Sequence, residues 1–144
     1  MMRAMAGRAL ARLLLEAFRS VDGEMLEALR DRGLGELTPA QAEAMFHIDR
    51  GGTRLTDLSQ RAEVTKQAMM QVVDHLESAG LVRRRPDPSD ARAKVVKLTA
   101  KGLRQRAEAR RAAGSVEGRI RRRLGDRRFE LLRTTLADVM AEEE

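Results

Sequence analysis

Cysteine is absent from the 144-residue chain. A disulfide framework, a thiolate metal site, a cysteine nucleophile and thiol-based redox sensing are therefore excluded. Tryptophan and tyrosine are missing too, and phenylalanine occurs only at Phe18, Phe46 and Phe129. Single-stranded bases stack on platforms of several rings, which three scattered phenylalanines do not supply. Two histidines, no glycine-rich phosphate loop and no metal-ligand cluster at a recognised spacing argue against an enzyme and against a cofactor. No apolar run is longer than a few residues, so no helical segment reads as membrane-spanning. Arg3, Arg8 and Arg12 lie in a helical pattern that includes Glu16 and continues past residue 20, unlike a secretory signal. The expected setting is the cytoplasm of a bacterium.

What is present is charge. With 42% apolar and 35% charged residues the chain can pack a core, and its length suits one domain, 1–144. The net charge of +6 is unevenly spread. Residues 1–53 hold 7 basic and 8 acidic side chains, and residues 54–101 hold 10 and 6. Residues 102–128 hold 10 and 3, whereas residues 129–144 hold 1 and 5. A basic middle between acidic ends suggests a polyanionic partner, most often nucleic acid. The competing explanation is an arginine-rich composition, 24 Arg against 4 Lys, that merely solvates helices.

Hydrophobic periodicity predicts a helix over about 3–31, with Leu10, Leu14, Phe18, Val21, Met25 and Leu29 on one stripe and Gly33 and Gly35 ending it. A helix this long carries more apolar surface than a small domain buries, so a second copy of the chain is a candidate partner. Thr38-Pro39-Ala40-Gln41 is a capping box with proline at the first helical position, opening a helix to about residue 48. After Gly51-Gly52 a short helix is expected over 54–62, then a tight turn at Val64-Thr65, then a helix over 66–79 capped by Thr65. That helix divides into an apolar side (Ala68, Met69, Val72, Val73, Leu76) and a polar side (Lys66, Gln67, Met70, Gln71, Asp74). Gly80 suits its C-terminus. Two β-like runs, 81–85 and 93–98, flank a Pro/Asp/Ser turn and predict a hairpin. Thr99 opens a basic helix with an irregularity expected near Gly114 or Gly118, and a last helix is expected over 127–142.

A short helix, a tight turn, a polar-faced helix and a basic hairpin together describe a winged helix-turn-helix. Lys66, Gln67 and Gln71 offer ammonium and amide groups to base edges in a major groove, whereas Met70 could only meet a thymine methyl or fill space. Arg92, at the hairpin turn, suits a narrow minor groove. Helix N-termini near Thr53, Thr65 and Thr99 offer N–H groups to phosphates, with Arg54 beside the first.

These segments resemble the MarR family of bacterial transcriptional regulators. The resemblance is carried by Leu55-Thr56-Asp57-Leu58-Ser59, by Val72-Val73-Asp74-His75-Leu76-Glu77 with Gly80-Leu81-Val82, and by a wing reading Arg84, Asp87, Pro88, Asp90, Arg92 and Leu98-Thr99. It implies a fold that is mainly α with a small β-hairpin wing (α+β). Dimerisation helices would lie in 3–35 and 100–144, and the winged helix-turn-helix lobe in 37–99. It implies a homodimer on near-palindromic double-stranded DNA, most often as a repressor. Thr65, Lys66, Gln67, Met70 and Gln71 fall on the recognition-helix positions. Arg84, Asp90, Arg92 and Lys94 belong to the wing, with Asp90 orienting Arg92. Ser89 stands where many members have arginine, and an arginine common near Gln71 is missing. The family also implies a small anionic or lipophilic effector in a cleft to which Leu14, Phe18, Arg19, Met25, Met45 and Phe46 could contribute, although packing explains these residues first.

Other groupings have plain explanations. Met69 and Met70 read as core filler before a soft-metal site, and Glu43 with His47 as a surface ion pair before two metal ligands. His75 suits a backbone or phosphate contact or simple exposure. Of Arg83-Arg84-Arg85 at least one should pair with an acid, because successive strand residues point to opposite sides. The Arg119–Arg128 cluster suits either flanking DNA or a solvated or intersubunit face. The alternative to a regulator is a nucleoid-type architectural binder using charge without sequence preference.

Overall fold

The computed structural model describes residues 9–141. In chain order the elements are α1 (Leu10–Asp31), α2 (Pro39–Phe46), β1 (Thr53–Arg54), α3 (Leu55–Arg61), α4 (Lys66–Ser78), β2 (Val82–Asp87), β3 (Asp90–Leu98), α5 (Ala100–Leu124) and α6 (Asp126–Met140). The expected first turns of α1, over residues 3–8, lie outside the described residues.

Capping chemistry sets most of these boundaries. Thr38 Oγ1 accepts from the Gln41 N–H while Gln41 Oε1 accepts from the Thr38 N–H, the reciprocal pair expected of a capping box. Thr65 and Thr99 cap α4 and α5 by accepting the N–H groups of Ala68 and Gly102. At the other ends, α1 and α4 close with the same pair of backbone bonds. Leu34 N–H reaches Leu29 O and Gly33 N–H reaches Arg30 O; Leu81 N–H reaches Leu76 O and Gly80 N–H reaches Glu77 O. Gly33 and Gly80 take the positive φ that this closure demands. Helix α3 closes likewise through Val64 and Glu63, but here a side-chain-bearing residue, Glu63, sits at φ 53°.

Leu29 of α1, Met45 and Ile48 at the end of α2, Leu58 of α3, and Met69, Val73 and Leu76 of α4 make one core with Val82 and Val96 of the sheet. Ala109, Ala112 and Val116 extend it along α5, whose small side chains let that helix lie close to α1. Two arginines satisfy the carbonyls at the end of α2. Arg106 donates to Ile48 O at 2.8 Å, and Arg61 to His47 O at 2.7 Å.

The sheet has three antiparallel strands in the order β1-β3-β2, with Thr53 opposite Val96 and Arg83 opposite Lys97. Three details differ from the sequence expectation. Strand β1, two residues long, was not foreseen, because its pairing with β3 is remote in sequence. The hairpin strands run on to Asp87 and from Asp90, so the turn is only Pro88-Ser89. Helix α5 is unbroken through Gly114 and Gly118, because its buried alanine and valine face holds it against the cost of two glycines, about 1 kcal/mol each.

Candidate nucleic-acid interface

Helix α4 is held by Met69, Val73 and Leu76, which are buried, and by Val72, which is half-buried. Lys66, Gln67, Met70 and Gln71 are exposed on its other side, with 44% of Met70 open to solvent. Ala68, expected on the packed side, is exposed; its N–H is the group that Thr65 caps. His75 makes a contact within its own helix, Nδ1 to Gln71 O at 2.7 Å.

Beside the start of α4 the wing and α3 enclose a groove of about 380 Å³. Arg54, Thr56, Lys66, Arg84 and Lys94 line it, and no carboxylate does. Two of its four cations are already engaged. Arg84, assigned from sequence to the wing's DNA contacts, is clasped by Glu77 and by Asp74 at 2.5 Å. It joins β2 to α4, and its guanidinium is the arginine of the triplet that pairs with acids. Arg54, expected to meet a phosphate, donates from Nε to Asp87 Oδ2 at 2.6 Å. Lys66 and Lys94 form no ion pair among the described residues and supply the groove's uncompensated charge.

Asp87 organises the wing turn. Its Oδ1 accepts from the N–H and the hydroxyl of Ser89 while Oδ2 holds Arg54. These bonds, Ser89 first and Arg54 next, lower its carboxyl from 3.8 to about 2. The Asp-Pro-Ser turn signal was legible in the sequence; the arginine 33 residues away was not.

Three expected contacts need correcting. Thr53 is buried, its hydroxyl oxygen accepting from the Asp49 N–H at 2.8 Å, so it cannot face a phosphate. Arg92 is not at the turn but two residues along β3, where it remains exposed. Asp90 accepts from the backbone N–H of Arg92 rather than from its guanidinium.

The six effector-cleft residues are not gathered in one protomer. Met45 is fully buried in the core, whereas Leu14, Phe18 and Arg19 lie exposed on α1. Phe46 and Met25 line one largely apolar cavity of about 240 Å³ with Pro39, Ala42, Glu43 and Ala109. Glu43 Oε1 stands 3.9 Å from His47 Nε2, a contact that is an ion pair only when the imidazole is protonated. In the rear arginine cluster, Arg119 and Arg123 share Glu24 of α1, and Arg121 bridges Asp126 and Glu130 while lying over the Phe129 ring. No described helix is long and apolar enough to cross a membrane.

Residues 36–93, from just before α2 into β3, match the model of the MarR family. The transcriptional regulator HosA of Escherichia coli O111:H- is 33% identical over 108 residues, covering 74% of this chain and 80% of that protein. The chain belongs to the MarR family. Among solved MarR-family relatives, CouR bound to a 23-mer DNA duplex superposes with a TM-score of 0.83 at 27% identity, covering 92% of this chain and 93% of that one. CouR from Rhodococcus jostii RHA1 bound to p-coumaroyl-CoA gives 0.76 at 26% identity over 92% and 93%. An E. coli MarR variant complexed with operator DNA gives 0.81 at 25% identity over 92% and 94%. The family match stops within β3, and the superpositions extend the likeness over 92% of the chain.

Proposed function

We propose that this chain is an effector-responsive repressor that binds a near-palindromic operator in double-stranded DNA as a homodimer, without catalysis, in the bacterial cytoplasm. The observation that carries this is the exposed face of α4, with Lys66, Gln67 and Gln71, standing beside a cation-lined groove free of carboxylates. Amides read base edges and lysines neutralise phosphates, so the two surfaces supply specificity and affinity separately. Thr65, Lys66, Gln67, Met70 and Gln71 face the major groove in this reading. Arg92 and Lys94 serve the wing, and Arg84, Arg54 and Asp90 shape it.

Dimerisation is supported by apolar surface that one protomer leaves open. On α1, Leu10, Leu14, Leu15, Phe18 and Val21 are exposed, Phe18 by 64%; on α6, Leu131, Leu132, Val139 and Met140 are. A soluble monomer rarely shows apolar helix stripes of this kind, and covering them is worth about 25 cal/mol per Å². The dimerisation segments are 3–35 and 100–144, and 37–99 is the DNA-binding lobe. The effector is a small lipophilic or anionic molecule held near the Met25–Phe46 cavity, as suggested by the acyl-CoA ligand of CouR. Occupied promoter DNA is closed to polymerase, and an effector that favours a different spacing of the two α4 helices releases it.

The test is selection of duplexes from random DNA followed by binding at matched salt. A regulator prefers its selected duplex by about 10³-fold or more over random sequence. Equal affinity for both would establish the architectural binder instead.

A further inference from the structure

The three consecutive arginines of β2 do not behave alike. Arg84 turns toward α4 and is neutralised there by Asp74 and Glu77. Arg83 and Arg85 project from the opposite face of the strand, about 7 Å apart, and both are exposed. Lys97 is the cross-strand partner of Arg83, so its side chain stands beside that arginine on the same outward face. None of the three forms an ion pair among the described residues. They border a groove of about 350 Å³ that ends on Thr99 and Ala100 at the start of α5 and has no carboxylate in its lining. The acids nearby are spent, Glu77 on Arg84 and Asp87 on Arg54 and Ser89. Lys101 stands on the rim of the adjoining groove, with its ammonium tied to Ala79 O by one of its three N–H groups.

Like charges this close repel, and a fold gains nothing from grouping them unless an anion comes between them. We infer that the outward face of the wing, Arg83, Arg85 and Lys97, is a second phosphate-contact surface that grips the operator duplex where it continues past the wing tip. This rests on the DNA-binding reading above. With α4 in a major groove and the Pro88-Ser89 turn entering the next minor groove, the side of the hairpin turned away from α4 faces the outer flank of the same duplex. Arg85 lies about 10 Å behind the tip, within side-chain reach of a backbone leaving that groove. The contacts are to phosphate, so they add affinity and salt dependence without sequence preference.

The experiment uses the full chain and two duplexes carrying the same selected site. One ends at the base pairs protected by the wing tips; the other adds eight base pairs of arbitrary sequence at each end. The wild type should bind the longer duplex about tenfold or more tightly, with a steeper log–log salt slope. The combined variant Arg83→Gln, Arg85→Gln, Lys97→Gln should bind the short duplex as the wild type does and lose the gain from length. Its slope on the long duplex should fall by about 3–5 units, because three cations on each of two wings are removed. Arg83→Lys with Arg85→Lys keeps the charge and should keep the gain, which separates charge from folding. No length gain in the wild type, or equal weakening of the variant on both duplexes, overturns the inference while leaving the operator reading intact. A wild type that binds neither duplex overturns both.

Discussion

Gly102, in the first turn of α5, lies against the backbone of Leu81 at the base of the wing. A Cβ built there would stand 1.9 Å from the carbonyl oxygen of Leu81 and 2.9 Å from its carbon. That oxygen already accepts the Thr99 N–H at 3.0 Å, so it cannot swing aside without breaking the link between β2 and the α5 cap. Two effects oppose each other in Gly102→Ala. Alanine in a helix gains about 0.5–1 kcal/mol over glycine, while overpacking against backbone costs about 1–3 kcal/mol, and more where the neighbour cannot yield. An overlap of more than 1 Å against main chain belongs at the upper end of that cost, so a net loss of about 2 kcal/mol is expected. For a chain of this size the loss should lower Tm by roughly 6 °C. Gly114→Ala is the internal control: it lies in the same helix with nothing within 4 Å, so it should hold or raise Tm. Thermal unfolding of the three proteins, at one concentration because the proposed species is a dimer, decides the matter. If Gly102→Ala melts with Gly114→Ala, the close approach of α5 to Leu81 is wrong, and with it the seating of the DNA-binding lobe on that helix.

The remaining expectations are smaller in scope. Gln71→Ala should cost about 1–3 kcal/mol on the selected duplex and little on random DNA, measured by binding isotherms; equal losses would place Gln71 on phosphate or on nothing. Arg92→Ala should shrink the log–log salt slope by about 1–2 units with an unchanged melting curve, since the side chain is exposed on β3 and the proposed dimer uses two wings. Glu63→Gly should raise stability by about 1 kcal/mol by relieving a left-handed backbone at φ 53°, and a denaturant midpoint that does not rise would show the turn to be unstrained. Asp87 has a lowered carboxyl, near 2 against an ordinary 3.8, so its contribution is complete above about pH 4 and drains away as pH falls toward 2. The stability gap between wild type and Asp87→Asn should close over that window, and a gap independent of pH would contradict the Arg54–Asp87–Ser89 arrangement.

Much of this molecule is legible in its sequence. Local chemistry determined the capping box at Thr38 and Gln41, the Thr65 and Thr99 caps, the glycine at the end of α4, and the division of α4 into a packed and an open side. Each depends on groups a few residues apart or on the helical period, so the order of residues alone carries it. Tertiary structure decided what the charges do. Arg84, Arg54 and Arg92 look alike in a basic stretch. Folding gives Arg84 to two acids of α4, Arg54 to Asp87 from 33 residues away, and leaves Arg92 open. It also withdrew Thr53 into the sheet by pairing β1 with a strand more than forty residues later, and it buried Met45 while leaving Phe18 outside. An arginine's partner depends on which carboxylate the packed core brings within about 3 Å. That core is assembled from residues 28 to 116, a span no local pattern can read.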